Sequence, residues 1–189
     1  MPPSVRPPSA AERLLDLFMP LEFFYGQRTQ PMPPPALIAG EQMPEPYRHL
    51  LVHESDMTPR LREHHGSPIG LEVIERQVSE NFIMRLVVLD REDTGKPVEI
   101  GAIGIQLEGF DAPTCHDILE GRVPLGGILE AREIVHESHP KAYFSLEADA
   151  YLAGLLHQPL GTKLYGRCNA LSHHDGLVFA DIVEILPHV

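Results

Sequence analysis

Residues 69–107 read IGLEVIERQVSENFIMRLVVLDREDTGKPVEIGAIGIQL. Apolar side chains recur at every second position through IGLEVIERQV, NFIMRLVVLD and PVEIGAIGIQL, which is the period of strands. The turn-rich REDTGK (91–96) joins the last two, so the stretch predicts three consecutive antiparallel strands. Arg85 stands in the middle of FIMRLVVL, with Ile83 and Val87 on its own face and Met84, Leu86 and Val88 on the other. A guanidinium stays charged at any relevant pH and is costly to bury alone. The position therefore predicts an anion beside Arg85, either a carboxylate of this chain or that of a ligand.

Downstream, PTCHDILEG and VPLGGILEA have helical spacing and glycines at their ends, and KAYFSLEA reads as a strand. YLAGLLHQPLG reads as a short helix stopped by Pro159 and Gly161. KLYGRCNALS and LVFADIVEIL flank the turn HHDG, where Asp175–Gly176 suits the positive φ of a hairpin. Upstream, eleven of the 19 prolines fall within the first 46 residues, so this part is expected to be an arm that is mostly neither helix nor sheet. Within it, Ser9 and Glu12 have capping-box spacing before Leu14, Leu15 and Phe18, which predicts a short amphipathic helix. The aromatics of LEFFYG (21–26) fit an arm docked on the body. The expected organisation is an arm over 1–45 and one α+β domain over 46–189, with six antiparallel strands and helices inserted between them.

With 27 acidic residues against 15 Lys and Arg, the formal net charge is −12, which argues against a nucleic-acid partner. There is no apolar run of membrane-spanning length and no apolar core of a secretory signal near the start, so the expected location is the cytoplasm, with no membrane partner. Cys115 and Cys168 are too few for a disulfide framework. No GxSxG, phosphate-binding loop or dinucleotide fingerprint is present. In LVHESDMTPRLREHHG (51–66), Thr58 before Pro59 reads as a helix N-cap and Gly66 as the stop. His64 and His65 then fall in the last turn, where they suit the helix dipole better than a metal. His136 and His139 precede Pro140 in an expected loop, and no metal site is expected. The turn GRVPLGGIL (121–129), with Gly126 and Gly127, exposes backbone N–H groups able to meet an anion, or is a plain helix-opening turn.

Three segments, HLLVHESDMTPRLREHHG, MRLVVL with the later VPLGGIL, and LYGRCNALSHHDG running to EILP, together resemble the chorismate lyase family over residues 46–188. The resemblance implies a six-stranded antiparallel sheet enclosing an internal ligand pocket. It also implies a cofactor-free carbon–oxygen lyase that converts chorismate, or a related cyclohexadiene acid, to 4-hydroxybenzoate and pyruvate, a step towards ubiquinone. Carried over, Arg85 would hold the ligand carboxylate, Leu125 and Gly126 would contribute at the Pro-Leu-Gly turn, and Met57 would line the pocket. The family's last-strand glutamate falls on Val183 when counted back from Pro187. Glu184 is one step later and so on the opposite face of a regular strand; a β-bulge could restore it, or Asp181, on the face of Val183, could substitute. The reaction needs orientation and proton management more than elaborate machinery, with Arg85 and Glu184 as its catalytic groups. The same fold also resembles the effector-binding domains of a class of bacterial transcription regulators. The alternative is therefore a non-catalytic protein that binds a small aromatic carboxylic acid.

Overall fold

The three strands over 69–107 form as the alternation dictates: β2 (Ile69–Val78), β3 (Phe82–Arg91) and β4 (Pro97–Gln106). The computed structural model describes residues 10–189, so Ser9 of the expected capping box lies outside the described residues, as do the side chains of residues 10–16. The elements in chain order are α1 (Ala10–Gln27), β1 (Ala36–Ile38), α2 (Tyr47–Leu51), α3 (Met57–His65), β2, β3, β4, α4 (Ala112–Glu120), α5 (Leu125–Ala131), β5 (His136–Glu147), α6 (Ala150–Leu156), β6 (Lys163–His173) and β7 (Val178–Leu186). The strands form one antiparallel sheet in the order β1-β5-β6-β7-β4-β3-β2.

The sheet thus has seven strands, not six. The extra one, β1, is three residues long and pairs with β5 through Ala36↔Ser145, Leu37↔Phe144 and Ile38↔Tyr143. Nearby, one other expectation fails and one helix runs further than expected. His136 and His139 lie in β5 rather than in a loop, because the register shift between Pro140 and Ala142 accommodates the proline within the strand. The proline-rich start carries an 18-residue helix that runs through Pro20. Phe18, Leu21, Phe24 and Tyr25 of α1 are all buried, so tertiary packing offsets the backbone donor that Pro20 lacks.

The two faces of the sheet bury different chemistry. On one, α1 and α6 cover Met84, Leu86, Val88, Ile100, Ala102, Val183, Ile185, Cys168 and Phe144 in a wholly apolar cluster. Phe18 meets Phe144 edge to face at 4.8 Å between ring centroids. On the other face α2 and α3 cover Val87, Leu89 and Val98, while α4 and α5 cover Ile83, Ile103 and Ile105. The buried charges lie on this second face.

Phe18→Ala is expected to destabilise the protein by about 3–5 kcal/mol, because it leaves a cavity against Phe144. Denaturant titration checks it; a cost below about 1 kcal/mol would mean that α1 is not part of the cooperative core.

Candidate functional site

Arg85 is opposite Ile103 on β4 and Arg76 on β2, between the apolar clusters of the second face. It is only 2% exposed. Its Nη1 donates to the Ile118 carbonyl at 3.2 Å, and Arg76 donates to the Leu119 carbonyl at 2.9 Å. Both guanidinium groups thus serve the carbonyl end of α4, where cations are favoured. Gly121, in the left-handed conformation at φ 67°, roofs this corner. A Cβ there would stand 2.9 Å from Val73 Cγ2 and 3.9 Å from Arg85 Nη1. One carbonyl satisfies only part of a five-donor group. The Nε of Arg85 is buried without a hydrogen-bond partner, and Arg85 makes no ion pair among the described residues. Burial lowers its pKa to about 10, so it remains charged at neutral pH.

The second buried arginine contrasts with it. Arg167 on β6 lies opposite Glu184 on β7 and bonds both oxygens of that carboxylate. Its Nη1 donates to the carbonyls of Leu51 and His53, and its Nη2 to that of Ser55. The pair therefore ties the α2–α3 connection to the sheet. Burial opposes the charge on Arg167, but Glu184 outweighs it and holds the pKa above its ordinary value. The His53 ring lies 3.3 Å from Arg167 Nη1. Burial, then the Arg167 charge, lowers its pKa to about 4. Glu99 on β4 completes the cluster at 4% exposure, and its Oε2 has no partner among the described residues. Burial first, and Glu184 next, push its pKa well above the carboxylate range.

Strand pairing decides which last-strand residue shares the face of Arg85. Ile103 is opposite both Arg85 and Ile182, and Gly101 is opposite Glu184. Side chains alternate, so Glu184 is on the Arg85 face, about 12 Å away between Cα atoms from ideal sheet spacings. Val183 and Asp181 are on the other face. Val183 is packed in the apolar cluster under α1 and α6, and Asp181 pairs with Lys141 at 2.5 Å near the surface.

Met57 is the first residue of α3 and Asp56 its N-cap, two residues earlier than the expected Thr58 cap. The helix stop at Gly66 and the last-turn positions of His64 and His65 are as expected. Met57 packs with Val87 and Leu89, and Leu125 at the start of α5 packs with Ile83 and Ile103, so both adjoin the strand segment carrying Arg85. Gly126 packs on Asp56, whose side chain would be 3.4 Å from a Cβ at that glycine. A carboxylate of the chain thus fills the notch before α5. His136 holds it, with Nε2 at 3.0 and 3.1 Å from the Asp56 oxygens and Nδ1 at 2.9 Å from the Ile134 carbonyl. Both ring nitrogens face acceptors, so the imidazolium fits, and the Asp56 contact raises the His136 pKa. These two line an open cleft of about 420 Å³ with Pro59, Arg60, Glu63 and Glu130. Among the described residues no group of three or more His, Cys, Asp or Glu is placed to hold a metal ion, and no helix is long and apolar enough to cross a membrane.

Sequence reasoning singled out Arg85 as a buried charge and did not bring Arg167, Glu99 and His53 together. The signal was present: Glu99 in VEIGAIGI and Arg167 in LYGRCNAL interrupt apolar strands as Arg85 does.

The architecture is shared with several solved structures. PhnF from Mycobacterium smegmatis superimposes with a TM-score of 0.57 at 11% identity, over 88% of this chain and 93% of that one. Its effector domain alone gives 0.53 at 13% identity, over 69% and 87%. The third is described as the ligand-binding domain of a GntR-family transcriptional regulator from Bordetella bronchiseptica. It gives 0.50 at 13% identity, over 63% of this chain and 85% of that one. The chain therefore shares its fold with these solved structures. No family model matches the chain, and no curated protein matches it significantly.

Two outcomes are expected from the buried pair. Arg167→Met strands Glu184 and should cost about 3–5 kcal/mol by denaturant titration, most of it recovered in Arg167→Met/Glu184→Leu. His53 resists protonation in the folded chain down to about pH 4, whereas an unfolded histidine takes a proton near 6.5. Its contribution to stability is thus complete above pH 6.5 and is lost as pH falls from there towards about 4. His53→Gln should flatten that part of the stability–pH curve.

Proposed function

We propose that the chain binds a small aromatic or cyclohexadiene carboxylic acid without transforming it, and that Arg85 holds the carboxylate. The observation that carries this reading is a buried guanidinium with an unpartnered Nε and no ion pair among the described residues. A ligand carboxylate supplies the bidentate partner such a group lacks. Met57 on α3 and Leu125 on α5 would form the apolar walls, with the backbone at Gly126 beside them. The likeness to domains described as ligand-binding supports this reading over catalysis.

The lyase reading keeps one observation in its favour, that Glu184 shares the face of Arg85. Yet both oxygens of Glu184 are taken by Arg167, a poor arrangement for managing a substrate proton.

Calorimetric titration with 4-hydroxybenzoate should show binding that Arg85→Ala weakens at least about tenfold, as expected for a charge-assisted contact. Unchanged affinity in the variant would remove Arg85 from the site. Incubation with chorismate should release no 4-hydroxybenzoate above the uncatalysed background; release that disappears in Arg85→Ala would establish the lyase instead.

A further inference from the structure

The helices α3, α4 and α6 each have an aspartate as N-cap, and Asp56 of α3 is used differently from the others. Asp111 at the start of α4 accepts from the Thr114 amide at 2.8 Å, and Asp149 at the start of α6 accepts from the Leu152 amide at 2.9 Å. Both donors stand three residues after the cap, a usual partner of an N-cap carboxylate. Asp56 makes no such bond to the first turn of α3. The residue three places on is Pro59, which has no N–H to give. The carboxylate crosses instead to Nε2 of His136 on β5, at 3.0 and 3.1 Å.

Three elements meet at this contact. Gly126, in the first turn of α5, leaves room for the carboxylate, since a Cβ there would stand 3.4 Å from Asp56 Oδ2. The other ring nitrogen of His136, Nδ1, is 2.9 Å from the Ile134 carbonyl. Only the imidazolium can donate to both acceptors. The neutral ring has one N–H and would turn a lone pair on the other oxygen. The His136 and Asp56 side chains are 15% and 21% exposed, so water replaces a lost contact poorly. The other charged or titratable groups at the junction are Arg60 and Glu63 of α3, Glu130 of α5, and His173 of β6, which is opposite His136. Arg132, at the end of α5, is taken by Asp117. From β7 it is the Phe179 ring that faces His136, at 6.4 Å between centroids.

We propose that the Asp56–His136 pair is a pH-sensitive latch, which fastens the starts of α3 and α5 to β5 when His136 is protonated and releases them when it is not. The latch does not depend on the ligand reading above. The hydrogen bond to Asp56 is the largest influence on His136 and raises its pKa above the ordinary 6.5. The contribution of the latch is therefore complete below about pH 6.5 and is lost as pH rises through the raised value. Both helices lie over the second face of the sheet, so release loosens the cover of that face.

The test follows the full chain from about pH 5 to 9, which spans the titration of a raised histidine. NMR of the histidine rings, with His136 assigned from His136→Gln, gives its transition. Amide hydrogen exchange, corrected for the intrinsic rate at each pH, gives the protection of α3, α5 and α6. In the wild type His136 should titrate above pH 6.5. Protection in α3 and α5 should fall about fivefold across that transition, the worth of one hydrogen bond. The α6 helix, on the other face, should show no step. Asp56→Asn removes the charge and keeps a good N-cap residue. It should bring His136 back towards 6.5 and abolish the step in α3 and α5. His136→Gln, with no charge to switch, should abolish the step as well, and it decides the matter if circular dichroism finds Asp56→Asn unfolded. A wild-type His136 that titrates at or below 6.5 overturns the latch. So does equal protection on both sides of the transition, or a step that α6 shares or that persists in the folded variants.

Discussion

A guanidinium buried in a protein must be matched donor by donor, and Arg167 is matched in full. Its pairing with Glu184 joins neighbouring positions of β6 and β7, and its remaining donors take the carbonyls of residues 51, 53 and 55. The same group therefore fixes a strand pair and the connection that launches α3. Met57, at the start of that helix, owes its place over the sheet to this anchorage. Arg85, on the same face, is matched among the described residues only by one carbonyl of α4. One buried arginine is thus saturated by the scaffold and the other is not.

The sheet divides the labour between its faces. The one under α1 and α6 buries an apolar cluster and supplies stability through packing. The other combines two apolar clusters with Arg85, Glu99, Arg167 and Glu184, whose desolvation the rest of the fold must offset.

The strands β2, β3, β4, β6 and β7 were legible because alternation is written locally, and Arg85 stood out as a charge in an apolar run. What was hidden depended on distant partners. A three-residue strand such as β1 carries no period of its own and exists through its pairing with β5. The start of α1 was legible in the spacing of Leu14, Leu15 and Phe18, but its continuation across Pro20 was masked by composition, because its stability comes from the aromatic side chains it buries. Pro140 looked like a strand breaker and is absorbed by a local register shift. The choice among Val183, Glu184 and Asp181 could not be made along the chain, since the β4–β7 register determines which of them faces Arg85. Glu99 and Arg167 were visible as residues but not as neighbours.

The strand order leaves β1 and β2 at the margins of the sheet. An open strand edge is a template for unwanted pairing with another chain. At one margin β1 offers three residues, too few for a lasting ladder. At the other, β2 is ten residues long, but its register breaks between Val73 and Glu75, and Glu72, Glu75 and Arg76 break up its apolar run. The bend and the charges make self-association along that edge unfavourable, so the strand that flanks Arg85 also protects the protein from aggregation.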